Sequence, residues 1–189
     1  MLIGLTGLKH AGKDTIATYL IKEHGFERRA FADPLKKSVA NLFGITFYQV
    51  DKFKNDDNIT VELCLGGTHV VKMTFREFLQ KYGTEAHRDV PEMGHDFWVD
   101  LLMPVRGYYA ERKIVISDVR FDNEARRIHQ LEGVVIEVSR ASLLNKDQHR
   151  SEDGIDPDLV DYYIFNNGTL EDLNNGVEVM IEHFSQYVG

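Results

Sequence analysis

The chain has 189 residues, of which 43% are hydrophobic and 28% are charged, and its formal net charge is −8. This size and composition indicate one soluble globular domain with a core of its own, and a single cysteine, Cys64, excludes an internal disulfide. The acidic balance argues against a protein that grips a nucleic-acid polymer, and no apolar stretch approaches the roughly 18 residues of a membrane span. The acidic balance still allows the chain to bind a small anionic substrate, because a few arginines can form a local positive cleft. We therefore expect a cytoplasmic protein that binds no membrane.

Apolar periodicity predicts strands that alternate with helices along most of the chain. Residues 2–6 form a short apolar run typical of a buried strand, and a helical spacing of apolar residues follows over 15–24. Further strands are predicted at 26–31, 113–117, 134–139 and 162–165, and further helices from Asp33-Pro34 to 43, from 74 to 83, around 97–102, at 121–131 and at 170–187. The alternation predicts an α/β fold, in which a mainly parallel five-stranded sheet is flanked by helices in a single domain.

One stretch, 45–73, departs from this alternation. Residues 51–58 are charged and are typical of a surface loop. Gly66-Gly67 then separates two strand-like runs, 60–65 and 69–73, which is the signature of a hairpin. We interpret the stretch as a small β-hairpin insertion on the main fold.

The first strand is followed directly by Gly7-Leu8-Lys9-His10-Ala11-Gly12-Lys13, which fits the phosphate-loop pattern G-x-x-x-x-G-K, and then by a helix. The glycines let the backbone wrap around phosphate oxygens, and the backbone N–H groups and the helix N-terminus hold the negative charge. Lys13 would reach the β- and γ-phosphates of ATP. His10, Gly12 and Lys13 are therefore candidate ATP-binding residues of a P-loop fold.

One position of this loop differs from the usual pattern. The Ser or Thr that normally contacts Mg²⁺ is Asp14 here. A carboxylate is a hard oxygen ligand for the metal, directly or through water; orienting Lys13 or contacting the substrate are alternatives. Thr15 offers its hydroxyl to a phosphate. Because ATP chemistry depends on Mg²⁺, we expect that ion as well, with Asp14 as one candidate ligand.

A second group of charged residues predicts a site for an acceptor phosphate. Asp118 and Arg120 directly follow the third predicted strand of the sheet, at the edge that faces the ligand crevice in open α/β sheets. Asp118 is a second candidate Mg²⁺ ligand, and Arg120 could bind a phosphate. Glu85 and Arg88 follow a glycine turn, and Arg88 could clamp a phosphate through two hydrogen bonds. The alternative for Asp118 and Arg120 is a capped helix start with solvated charges.

Other candidates allow two interpretations each. Lys36 and Arg76 lie in first turns of predicted helices, where they either face the acceptor or are solvated. Trp98 either stacks on a base or belongs to the core. Arg140 ends the fourth strand before a polar stretch of about 141–158, which is either a lid over the triphosphate or an ordinary surface loop. Asn167, in the turn 166–169 before the last helix, either meets the base of ATP or completes a plain turn.

Taken in chain order, these motifs resemble those of the bacteriophage-type deoxynucleoside monophosphate kinases. The pieces that carry the resemblance are Gly12-Lys13-Asp14-Thr15, Phe31-Ala32-Asp33-Pro34-Leu35-Lys36, Leu79 to Glu85 with Arg88, Trp98, Asp118-Val119-Arg120 with Asn123-Glu124, and Asn166 to Leu170. The resemblance implies a P-loop nucleoside monophosphate kinase fold, often as a homodimer, and transfer of a phosphoryl group from ATP to a deoxynucleoside monophosphate with Mg²⁺. It places Lys9, Asp14 and Thr15 near the nucleotides. Around the acceptor it places Arg88, Trp98, Asp118, Arg120 and Glu124.

Three other activities fit parts of the pattern. A dephospho-CoA kinase also begins with a strand and a Gly-rich loop and contains an Asn-Asn-Gly turn, but it usually keeps Ser or Thr where this chain has Asp14. A P-loop switch or assembly ATPase would bind ATP and a protein partner and would need no acceptor site. A nucleoside kinase has less need of arginines around its acceptor. The arginines after strand ends favour a kinase with a phosphorylated acceptor.

Overall fold

The computed structural model describes residues 1–65, 67, 69–83, 94, 96–103, 112–143 and 154–186. Its contacts divide the chain into two compact units, one formed by Met1–Phe31 with Met103–Gly189 and the other by Ala32–Leu102. The prediction of a single domain stays a prediction. Among the described helices, none is both long enough and apolar enough to span a membrane.

The first unit is built on a five-stranded parallel sheet, as the alternation of elements predicted. Its strands are β1 (Leu2–Thr6), β2 (Glu27–Arg29), β5 (Ile114–Ile116), β6 (Val134–Ser139) and β7 (Tyr162–Phe165). They lie in the order β2-β5-β1-β6-β7, and every neighbouring pair is parallel. The carboxyl ends of all five strands therefore meet at one edge of the sheet, where the loops that carry the candidate residues begin.

Helices cover both faces of this sheet. Helices α1 (Lys13–His24) and α7 (Leu170–Ser185) bury their apolar stripes in one cluster with Ile3 and Leu5 of β1. Helix α6 (Asp122–Gln130) covers the opposite face, and a Cβ at Gly4 would collide with its Ile128. Burial of an apolar stripe against a sheet is the main source of stability for such helices.

A cluster of three polar side chains joins the two helices of the first face. The Tyr19 hydroxyl donates to Glu178 Oε1 at 2.6 Å, and the His24 ring lies 2.9 Å from the same oxygen. These two hydrogen bonds lower the pKa of the Glu178 carboxyl. The bond to Glu178 also raises the pKa of the Tyr19 hydroxyl. The cluster therefore ties α1 to α7 most firmly while Glu178 is ionised.

The second unit contains α2 (Ala32–Phe43), α3 (Phe47–Phe53), β3 (Thr60–Leu65), β4 (His69–Thr74), α4 (Phe75–Gly83) and α5 (Phe97–Leu102). Strands β3 and β4 form the predicted antiparallel hairpin, with Thr60 opposite Thr74 and Leu65 opposite His69. Its core collects apolar side chains of α2, α3, β3 and α4, among them Val39, Val50 and Phe75.

Two local predictions in this unit are wrong. The surface loop predicted at 51–58 begins too early, because Thr46 and Gln49 form a capping box and start α3, whose Val50 is fully buried. The cap predicted at Asp33 lies one residue inside α2, which begins at Ala32. Both errors are shifts of a helix boundary, where local sequence signals are weakest.

Candidate active site

The phosphate loop connects β1 to α1 in a conformation that needs its two glycines. Gly7 and Gly12 have φ angles of 125° and 117°, which L side chains rarely adopt. A Cβ at Gly7 would collide with the backbone carbonyl of Val138. Gly12 is the N-cap residue of α1 and makes no side-chain cap, and the N-terminus of a helix favours negative charge nearby.

Lys13, the first residue of α1, folds back over this loop. Its Nζ donates to the carbonyl oxygens of Gly7 at 2.7 Å and of Leu8 at 2.8 Å. The ammonium group is thereby held beside the loop that the sequence predicted to bind phosphate. The other predicted ATP-binding residues of this region, Lys9, His10, Asp14 and Thr15, are exposed. His10 has a φ of 68°, an uncommon value for a residue with a side chain, and such strain is typical of functional loops.

The turn between β7 and α7 contacts the same edge of the sheet through two adjacent asparagines. Asn166 Nδ2 donates to the carbonyl of Ala11 in the phosphate loop at 2.8 Å. Asn167 Oδ1 accepts the N–H of Ala141 at 2.8 Å. Arg140, the residue before Ala141, is exposed at the start of the predicted lid. The contact of Asn166 with the phosphate loop was not predicted, since the sequence only marked the turn as a place for a base.

Asp118 and Arg120 follow β5, as predicted, and the backbone around them is held by two carboxylates. Asp118 Oδ1 accepts the N–H of Phe31 at 2.7 Å, which joins the ends of β5 and β2. Glu124 Oε2 accepts the N–H groups of Arg120 at 2.8 Å and of Phe121 at 3.1 Å. Glu124 is only 2% exposed, whereas Arg120 is exposed. The structure thus places Glu124 beneath the turn that presents Arg120.

Two residues of the second unit that were predicted to bind the acceptor, Lys36 and Arg76, contact side chains of the protein. Lys36 Nζ lies 3.0 Å from Asp51 Oδ1, and its side chain is only 12% exposed. Burial alone would raise the pKa of Asp51, but the hydrogen bonds from Lys54 and Lys36 outweigh it, and the pKa is lowered. Arg76 Nη2 donates to an asparagine side chain at 3.2 Å. Lys36 and Arg76 therefore bond to neighbouring polar side chains of their own unit, as residues of a structural charge network do.

Trp98 occupies the core of its unit. It is 3% exposed, its indole N–H donates to the carbonyl of Gly83 at 2.9 Å, and its ring meets Phe97 edge-on at 4.8 Å. Of the two interpretations that the sequence allowed, these contacts support the core role. Glu85, Arg88 and residues 144–153 of the predicted lid lie outside the described residues.

The described residues contain no group of three or more His, Cys, Asp or Glu side chains placed to hold a metal ion. The two predicted ligands, Asp14 and Asp118, remain the candidates. Mg²⁺ in phosphoryl-transfer sites is commonly bound by one or two carboxylates together with substrate phosphates and water, so a larger protein cage is not required.

Comparisons with known proteins show the family to which the chain belongs. The profile of the family described as deoxynucleotide monophosphate kinase matches residues 46–177, more than half of the chain. A protein of Acanthamoeba polyphaga mimivirus, provisionally named a deoxynucleotide monophosphate kinase, is 31% identical over 193 residues, which cover 98% of each chain. The crystal structure of TT1252 from Thermus thermophilus shares the fold, with a TM-score of 0.51 and 16% identity over 97% of each chain. A phosphate loop on a five-stranded parallel sheet, a family profile over most of the chain and a full-length relative lead to one assignment: the chain belongs to the deoxynucleotide monophosphate kinase family of phosphotransferases.

Proposed function

We propose that this enzyme transfers the γ-phosphoryl group of ATP to a deoxynucleoside monophosphate and produces ADP and a deoxynucleoside diphosphate. The observation that carries the proposal is the phosphate loop with the Lys13 ammonium group held against it, in a chain of this family. The substrates are small nucleotides. A homodimer and a cytoplasmic location, in the host if the gene is viral, stay predictions.

The donor end of the site uses the phosphate loop. The N–H groups around Gly12 and the N-terminus of α1 would bind the phosphates of ATP. Lys13 would exchange its bonds to two neutral carbonyls for bonds to phosphate oxygens, which are stronger because both partners are charged. Lys9, His10 and Thr15 are exposed at this loop, and Arg140 and Asn167 at the adjacent strand ends are the further donor candidates.

The acceptor end relies on Arg120 among the described residues. Its backbone N–H is held by the buried carboxylate of Glu124, so that the side chain leaves the turn from a defined Cα position. A guanidinium group binds a phosphate through two parallel hydrogen bonds and stabilises charge as the phosphoryl group moves. Glu85 and Arg88 remain predictions from the sequence, and the contacts of Trp98, Lys36 and Arg76 do not support a direct role.

Asp14 and Asp118 fit the requirement for Mg²⁺, since both are carboxylates at the edge of the sheet where the phosphate loop lies. Asp14 is exposed in the first turn of α1, and Asp118 follows β5. When bound, Mg²⁺ would supply positive charge that offsets the negative charge of the phosphates during transfer. These two side chains would hold it, directly or through water.

The test is a coupled assay of ADP release with ATP and Mg²⁺, in which each deoxynucleoside monophosphate, each ribonucleoside monophosphate and dephospho-CoA is offered in turn. ADP release that depends on a deoxynucleoside monophosphate supports the proposal and identifies the base. Lys13→Ala should lower kcat/KM at least about 100-fold, as loss of a transition-state charge partner does in other enzymes. Lys22→Ala, an exposed lysine on the same helix, is the matched control and should keep the activity.

Two other results would contradict it. ADP release with dephospho-CoA alone would indicate a different small-molecule kinase, which the Asn-Asn-Gly turn at 166–168 also allows. Slow ADP release that ignores every acceptor would indicate a P-loop ATPase or switch.

A further inference from the structure

The side chain of Asn166 makes a contact with the phosphate loop that the sequence did not predict. Asn166 lies 155 positions along the chain from Ala11, and its Nδ2 donates to the Ala11 carbonyl at 2.8 Å. Its own backbone N–H donates to the carbonyl of Ser139 in β6 at 2.8 Å. Asn166 is therefore anchored to the sheet by its backbone and to the phosphate loop by its side chain.

This bond defines the orientation of one peptide group in the loop. The peptide between Ala11 and Gly12 is trans, so its C=O and N–H bonds point in opposite directions. Because Asn166 holds the carbonyl on one side, the N–H of Gly12 points to the other side. Without this bond, the peptide could rotate and direct its carbonyl oxygen, which repels phosphate, toward the bound anion.

The fit around this bond is close. Ala11 is fully buried, and a Cβ at Gly12 would lie 2.5 Å from Asn166 Nδ2. A side chain at this position would require the Asn166 amide to move, so the bond from Asn166 to Ala11 depends on the glycine. The adjacent Asn167 bonds to Ala141 instead, and hence the two asparagines have separate contacts.

We propose that Asn166 is a positioning residue for donor binding, which orients the Gly12 N–H toward the phosphates by holding the Ala11 carbonyl away from them. This inference rests on the proposed function, because it assumes that the loop binds the phosphates of ATP. On this proposal Asn166 does not contact the base of ATP. Its side chain contributes to affinity through the loop, and that contribution is the same for any ligand with the same phosphates.

The experiment compares ATP with inorganic tripolyphosphate, which has the phosphates but neither sugar nor base. Dissociation constants are measured by calorimetry for the wild-type protein, Asn166→Ala and Asn175→Ala, an exposed asparagine on α7 that serves as the matched control. We expect Asn166→Ala to bind both ligands about two- to tenfold more weakly, the loss that one hydrogen bond commonly causes. In turnover, the KM for ATP should rise by a similar factor while the KM for the acceptor stays unchanged.

Each other outcome overturns the inference in a recognisable way. Weaker binding of ATP with unchanged binding of tripolyphosphate would assign Asn166 to the nucleoside, and unchanged binding of both would make the bond merely structural. An equal loss in Asn175→Ala would show that the effect is not specific. If the wild-type protein binds neither ligand, the proposed function fails with it. Asn166→Ser, whose side chain is one bond too short for Ala11, gives the same comparison if Asn166→Ala is poorly folded.

Discussion

Replacement of Glu124 separates two roles for this residue, contact with the acceptor and support of the turn that carries Arg120. The carboxylate is 2% exposed and accepts two backbone N–H groups, at 2.8 and 3.1 Å. A hydrogen bond to a charged group contributes about 1.5–3 kcal/mol, and two bonds to one oxygen contribute less than twice that amount. Since Glu124→Ala also leaves both N–H groups unpaired and opens a small cavity, we expect it to lower the free energy of unfolding by about 3–5 kcal/mol.

Glu124→Gln keeps the shape and one acceptor oxygen but loses the charge, so its expected loss is about 1–2 kcal/mol. The free energy of unfolding is measured by urea denaturation followed by circular dichroism, with Glu182→Ala, an exposed residue of α7, as the control that should change it by less than about 0.5 kcal/mol. If Glu124 supports the turn, the KM for the acceptor rises in proportion to the lost stability. A raised KM with unchanged stability in Glu124→Gln would refute this reasoning and show a direct contact with the acceptor.

Three further changes test the fold around the site. Gly7→Ala should destabilise the protein by at least about 3 kcal/mol, because its Cβ would collide with a β6 carbonyl. Gly25→Ala, also at positive φ but with open space around it, should cost only about 1 kcal/mol. Equal losses of stability in thermal or urea unfolding would contradict the collision. Trp98→Phe should lose about 1–2 kcal/mol of stability and leave the KM for the acceptor unchanged, and a raised KM without lost stability would restore the stacking role. The pKa of Glu178 is lowered by hydrogen bonds from a tyrosine and a histidine, so its contribution to stability is present above its ordinary pKa of 4.5 and is lost as the pH falls through the folded-state pKa. Glu178→Gln should therefore flatten the loss of stability on acidification from about pH 5 to pH 3, and an unchanged slope would show that the cluster contributes nothing.

The features that the sequence predicted correctly are those whose signal lies in contiguous residues. The loop between β1 and α1 is one such feature, because Gly7, Gly12 and Lys13 impose its backbone and charge within seven positions. Its binding of phosphate stays a prediction. The parallel sheet is another, since alternating strands and helices leave few ways to connect them. The hairpin of β3 and β4 follows in the same way from Gly66-Gly67 between two strand-like runs.

The roles of individual side chains depended on partners that sequence patterns do not reveal. A lysine such as Lys36, or a tryptophan such as Trp98, suits a ligand site and a structural contact equally well. The contacts with Asp51 and with the Gly83 carbonyl favour the structural contact, and only the folded chain reveals them. Asn166 meets Ala11 because the parallel sheet brings the end of β7, two strands away from β1, to the same edge as the phosphate loop. Backbone conformation is largely encoded by neighbours in the chain, whereas the choice of hydrogen-bond partner is made by residues that become neighbours only when the sheet has formed.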